Sequence, residues 1–141
     1  MNVVDSSGWL EYFARGTNAS FFAPVVKATD TLVVPTVCMY EVFKRLLAQR
    51  GEEGALQAIG IMSLGIIADL TREIAVNAAN ISSEFKIAMA DSIILATARA
   101  NNATLWTKEA DFEGIDGVQY IEKKCGANEI QSVKKINHST H

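Results

Sequence analysis

The sequence predicts an α/β fold: a parallel sheet of five strands with helices on both faces. Short β-branched runs alternate with longer segments whose apolar residues recur at helical spacing. Strands joined through helices pair in parallel by right-handed crossovers, which puts helices on both sides of the sheet. Acids recur just after strands or at the starts of helices, toward the carboxyl edge where open parallel sheets bind ligands.

Val3-Val4 is the first strand, and it ends in Asp5. Ser6, Ser7 and Gly8 turn sharply into a helix from Ser6 to about Arg15, marked by Trp9, Leu10 and Phe13. Gly16-Thr17-Asn18 is a turn, and Ala19 to Ala28 reads as a short second helix. Thr31 to Val34 is a buried strand stopped by Pro35. Val37, Tyr40, Val42, Phe43, Leu46 and Leu47 mark a helix to about Arg50 that carries Glu41 on its first turns. Gly51 ends it, and Glu52 to Ser63 forms another helix. Gly65 to Leu70 reads as the third strand, and Thr71 opens a helix to about Phe85. Asp91 lies in the first turn of a helix that ends near Asn101-Asn102. Thr104 to Thr107 is the fourth strand, Lys108 to Gly114 a loop, and Val118 to Ile121 the fifth strand. Residues 1–122 are expected to form one domain and residues 123–141 a polar, partly ordered tail.

A chain of 141 residues that is 49% hydrophobic and 21% charged suits a single globular domain with a real core. Its start has no basic segment followed by an apolar one, and the most apolar window, Ala55 to Leu70, is too short to span a bilayer. A cytoplasmic location without membrane association is expected. Cys38 and Cys125 lack metal-ligand spacing, and Cys38 lies in an apolar run that suits a buried reduced thiol. His138 and His141 fall in the tail, far from either cysteine, which argues against a Ser/His or Cys/His hydrolase. The net charge of −3 gives no overall attraction to nucleic acid. Acids gathered at one cation site would leave Lys44, Arg45, Arg50, Lys86, Arg99 and Lys108 free to meet phosphates.

If the first and fourth strands are neighbours, Asp5, Asp91, Glu109 and Asp111 converge above one sheet edge, with Glu41 reaching in from the helix after the second strand. Carboxylates held together without a cation repel one another, and some must keep their protons. A divalent ion resolves that conflict, and a donor set of carboxylates without His or Cys favours Mg2+, with Mn2+ as the alternative. The chemistry implied is phosphodiester hydrolysis by an activated water. Each acid also has a plainer reading: Asp5 and Asp91 as N-caps, Glu41 as an exposed helix acid, Glu109 and Asp111 as turn caps. Asp69 and Asp116 read only as solvated loop acids. Thr107 either caps the following loop or orients the acid two positions on. Trp9, Tyr40 and Trp106 are expected in core or interface packing rather than as base-stacking platforms.

Val3-Val4-Asp5-Ser6-Ser7-Gly8-Trp9-Leu10-Glu11-Tyr12-Phe13 strongly resembles the first motif of PIN-domain ribonucleases, in particular the VapC-like toxins of toxin–antitoxin pairs. The resemblance continues in Tyr40-Glu41-Val42-Phe43-Lys44-Arg45, in Ala90-Asp91-Ser92-Ile93-Ile94-Leu95-Ala96-Thr97-Ala98 and in Thr107-Lys108-Glu109-Ala110-Asp111-Phe112-Glu113-Gly114. It implies a three-layer α/β/α sandwich, a homodimer, Mg2+-dependent cleavage of structured RNA such as transfer or ribosomal RNA, and a VapB-like antitoxin whose tail enters the active-site groove. It also implies that Asp5 and Asp91 are the main metal ligands and that Glu41 helps to bind the metal or its water. The family often has Asp or Asn where this sequence has Glu109, so either Glu109 or Asp111 supplies the fourth acid.

Two other functions fit the same residues: an RNA-processing nuclease without an antitoxin, and a catalytically silent RNA- or protein-binding module. Dimerisation is expected independently, because Ala55 to Leu70 is more apolar than a solvated helix requires.

Overall fold

A computed structural model describes residues 1–122. The expected tail, with Cys125, His138 and His141, lies outside the described residues. The chain runs β1 (Asn2–Val4), α1 (Ser6–Ala14), α2 (Ala19–Lys27), β2 (Leu32–Pro35), α3 (Thr36–Met62), β3 (Ile66–Ala68), α4 (Arg72–Phe85), α5 (Met89–Ala100), β4 (Thr104–Thr107) and β5 (Val118–Tyr120), with 3₁₀ turns at Thr29–Thr31 and Ala110–Phe112. The five strands form one parallel sheet in the order β3-β2-β1-β4-β5, the centre of an α/β/α sandwich.

β1 is the middle strand, so it must be apolar on both faces. Val3 and Val4 are both fully buried, as are Val33 and Val34 beside them on β2. The chain leaves β1 toward β2 on one side and reaches β4 on the other, which makes the β1–β4 junction the switch point of the sheet. Val3 pairs with Leu105 and Val4 with Trp106, and one residue further the Asp5 N–H donates to the Trp106 carbonyl at 3.2 Å. That register brings Asp5 level with Thr107.

Local chemistry sets the helix ends that matter to this edge. Asp5 caps α1, and a Cβ at Gly8 would lie 2.6 Å from Val4 Cγ1 and 2.7 Å from the Phe22 ring. Only glycine lets the first turn of α1 press so close to the sheet. Gly51, at φ 82° and ψ 179°, breaks α3 into two helical segments at the expected position. The first segment carries Glu41, and the second carries the apolar residues that lead into β3. Cys38 is a buried free thiol with its Sγ 3.7 Å from the Val4 carbonyl. No helix of the described residues is long and apolar enough to cross a membrane.

Candidate active site

Asp5, Glu41, Asp91 and Glu109 all line one open groove of 590 Å3 at the carboxyl edge of the sheet, together with Ser6, Ser7, Leu10, Tyr40, Lys44, Arg45 and Ala48. Four elements meet there: the β1–α1 junction, the first segment of α3, the first turn of α5 and the loop after β4. Asp111, in the 3₁₀ turn, is exposed and is not among the lining residues.

Asp5 is buried and held by three neighbours. Its Oδ1 accepts from the Gly8 N–H at 2.8 Å and from the Ser7 hydroxyl at 2.9 Å, and its Oδ2 accepts from the Thr107 hydroxyl at 2.6 Å. Burial nevertheless pushes its carboxyl up to about 6, against the lowering effect of the Thr107, Gly8 and Ser7 donors and with a smaller upward push from Glu109. Asp5 is therefore a helix N-cap and a groove acid at once. Thr107 does not reach the side chain of the acid two positions on. Its hydroxyl holds Asp5 and accepts the Glu109 backbone N–H at 2.9 Å, which fixes the start of the next loop.

Asp91 is half-buried in the first turn of α5, whose N-cap is Ala88, so capping does not account for it. Its carboxyl is also pushed up to about 6, first by burial and then by the negative charges of Glu41, Glu109 and Asp111. Glu41 accepts a hydrogen bond from Ser6 Oγ at 2.5 Å, which ties α3 to the first residue of α1. Beneath them the Cys38 thiol is raised well above its ordinary range by burial, and Asp5, Glu41 and Asp91 oppose its ionisation further, so it is no nucleophile.

Among the described residues, no three His, Cys, Asp or Glu side chains stand close enough together to hold a metal ion between them. The four acids share the groove, and as like charges they repel one another. Their chemistry fits a hard divalent cation: the acidic donors are all carboxylates, two of them have raised pKa values, and a cation would relieve the repulsion that raises Asp91. Mg2+ characteristically keeps several waters, so it does not need a closed protein cage.

The cations divide sharply. Lys44 and Arg45 line the groove, whereas Lys108 is paired with Glu11 at 2.7 Å, Arg50 donates to the Phe13 carbonyl at 3.0 Å and Arg99 lies over the Phe85 ring. Arg45 also lines the adjoining groove between α1 and α3 with Arg50 and Lys108. The sequence could not show that Lys108, Arg50 and Arg99 are engaged elsewhere, because their partners are distant in the chain. It also missed Ser6 and Ser7 as carboxylate donors, and their only local signal was a place directly after the strand acid.

The model of the PIN domain matches residues 3–118. The chain belongs to the PIN domain family. Solved structures with the same fold include a toxin–antitoxin complex from Klebsiella pneumoniae, with TM-score 0.73 and 24% identity over 87% of this chain and 100% of that one. VapBC2 from Rickettsia felis, bound to a promoter DNA fragment, is similar at TM-score 0.67 and 16% identity over 86% of this chain and 97% of that one. Mycobacterium tuberculosis VapC20, a toxin that cleaves the sarcin-ricin loop, matches at TM-score 0.64 and 14% identity over 80% of this chain and 92% of that one. At these identities the likeness is one of fold. No curated protein matches the sequence.

Proposed function

We propose that this PIN domain is a divalent-metal-dependent endoribonuclease that acts as the toxin of a toxin–antitoxin pair in the cytoplasm, with residues 1–122 as its catalytic unit. The observation that carries the reading is the gathering of Asp5, Glu41, Asp91 and Glu109 on one groove beside Lys44 and Arg45. Family membership supports nuclease chemistry, and similar folds in toxin–antitoxin complexes support the biological role.

In this reading Asp5 and Asp91 hold the ion, while Glu41 and Glu109 bind it or its waters. Glu109 is favoured over Asp111 as the fourth acid because it lines the groove, and Asp111 adds negative charge felt by Asp91. A bound Mg2+ or Mn2+ supplies Lewis acidity toward a phosphate oxygen and the attacking water. The chain's own residues do the rest. Ser7, Gly8 and Thr107 fix the Asp5 carboxylate, Ser6 fixes Glu41, and Lys44 and Arg45 meet the substrate's phosphates.

The antitoxin is expected to be VapB-like and to block the groove with its tail. A second copy of the chain is expected on the apolar face formed by the end of α3 and the sheet edge at β3. Leu56, Ile61, Leu64, Ile66, Ile67 and Leu70 are all exposed there, more than a solvated surface requires. A monomer mass at micromolar concentration would contradict the dimer.

The deciding experiment is incubation of total cellular RNA with purified protein in Mg2+ or in EDTA, with Asp91→Asn in parallel. A few discrete fragments that need both the metal and Asp91 are expected. No cleavage under any condition would overturn the nuclease reading in favour of a silent binding module.

A further inference from the structure

We propose that Tyr40 is a specificity-determining residue of this groove: its ring receives an unpaired nucleobase next to the phosphate held over the carboxylates. The inference rests on the nuclease reading and adds to it the residue that meets the base.

Sequence alone favours core or interface packing for Tyr40, and the structure keeps its ring out of the core. Its side chain is 64% exposed. The other ten aromatic residues of the chain are all buried or half-buried. Trp9 stacks on Phe13, Phe21 packs against both Phe22 and Trp106, and Tyr12 contacts Trp9 and Phe13. Tyr40 makes no comparable contribution to the core. It lines the groove beside Glu41, on the side where Lys44 and Arg45 supply positive charge.

Lys44, one helical turn further along α3, holds its Nζ 5.8 Å from the centre of the Tyr40 ring. The pair sets an aromatic face beside a cation, which suits a base and the phosphate that follows it. Every nucleobase has a face that can stack, but a base inside a duplex has its faces covered by its neighbours. The groove therefore selects single strands, loops and bulges. Neither Tyr40 nor Lys44 is a carboxylate of the metal site, so base binding is separable from phosphodiester cleavage.

The test uses a short single-stranded oligoribonucleotide carrying 2-aminopurine, and its blunt duplex, mixed rapidly with the full-length protein in Ca2+ and read before product forms. Wild type, Tyr40→Phe and Tyr40→Leu are compared. Wild type and Tyr40→Phe are expected to bind the single strand and quench 2-aminopurine equally. Tyr40→Leu, close in size but without the ring, should bind roughly tenfold more weakly without the quench, and the duplex should bind weakly to all three. Melting temperatures should be the same for all three, because the side chain is exposed. Equal binding and quench in Tyr40→Leu, as expected if Tyr40 instead meets a protein partner, would overturn the proposal. Equal binding of duplex and single strand would overturn it too. The nuclease reading stands or falls separately, on metal-dependent cleavage of total RNA by the wild type.

Discussion

The two central aspartates of the groove share a raised pKa of about 6, pushed up first by burial in both, but their surroundings differ. Asp5 is enclosed: burial raises it, and Ser7, Gly8 and Thr107 hold its oxygens in place. Asp91 is half-buried, and Glu41, Glu109 and Asp111 add to the push from burial. One side of the groove is thus built by the fold, and the other is poised around a charge that a cation would balance. Were a cation to bind here, Asp5 would meet it with its oxygens already held in place.

Replacing either acid should produce the largest effect. Asp5→Asn and Asp91→Asn are each expected to reduce RNA cleavage on the order of a thousandfold, the loss of several kcal/mol of metal-dependent stabilisation. Rates with saturating Mg2+ will show whether both are needed. Thr107→Val should weaken metal affinity about ten- to a hundredfold, because it frees one oxygen of Asp5 and the start of the Glu109 loop. Ser6→Ala should act more weakly, since Glu41 keeps its place on α3.

Stability should separate the two aspartates most clearly. Asp5→Ala removes the cap of α1 and leaves the Thr107 hydroxyl without its acceptor, so chemical denaturation of the metal-free protein near pH 4, where the Asp5 carboxyl is protonated, should show a loss of about 1–3 kcal/mol. Asp91→Ala removes repulsion and should leave metal-free stability unchanged or higher. Equal losses would mean that the two sides of the groove do not differ in this way.

The pH dependence follows from the same shifts. Both carboxyls titrate at about 6 in the fold against an ordinary 3.8, so the folded chain holds more protons than the unfolded chain between those values. Their contribution to metal-free stability is complete below pH 3.8 and is lost as pH rises through about 6. For the buried Asp5 it is on the order of 3 kcal/mol. Metal binding runs the other way, because the ion displaces those protons. Mg2+ stabilisation in thermal melts should grow as pH rises from 5 to 7. The smallest expected effect is that of Arg45→Ala: a few-fold rise in KM and a salt dependence shallower by about one ion.

Much of this arrangement was legible in the sequence because it is local. Val3-Val4 followed by Asp5 and a serine-glycine exit specifies a strand, an acid and a helix start within a few residues, and Gly51 marks the break in α3. The β1–β4 pairing that brings Asp5 to Thr107 could be posed only as a condition, since neighbours in a parallel sheet are far apart in the chain. The same distance hid the Ser6–Glu41 and Lys108–Glu11 pairs. The exposure of Tyr40 on the groove was hidden for a different reason. Aromatic character favours packing, and no spacing rule reveals that a ring on an otherwise amphipathic helix faces a groove.

Whether the groove binds a divalent ion through these carboxylates can be measured directly by Mn2+ titration of the wild type and Asp91→Asn, with free Mn2+ counted by electron paramagnetic resonance on either side of pH 6. The wild type should bind Mn2+ more tightly at the higher pH, and Asp91→Asn should bind at least about tenfold more weakly. No binding by the wild type, or equal binding by the variant, would contradict a metal site built on Asp5 and Asp91.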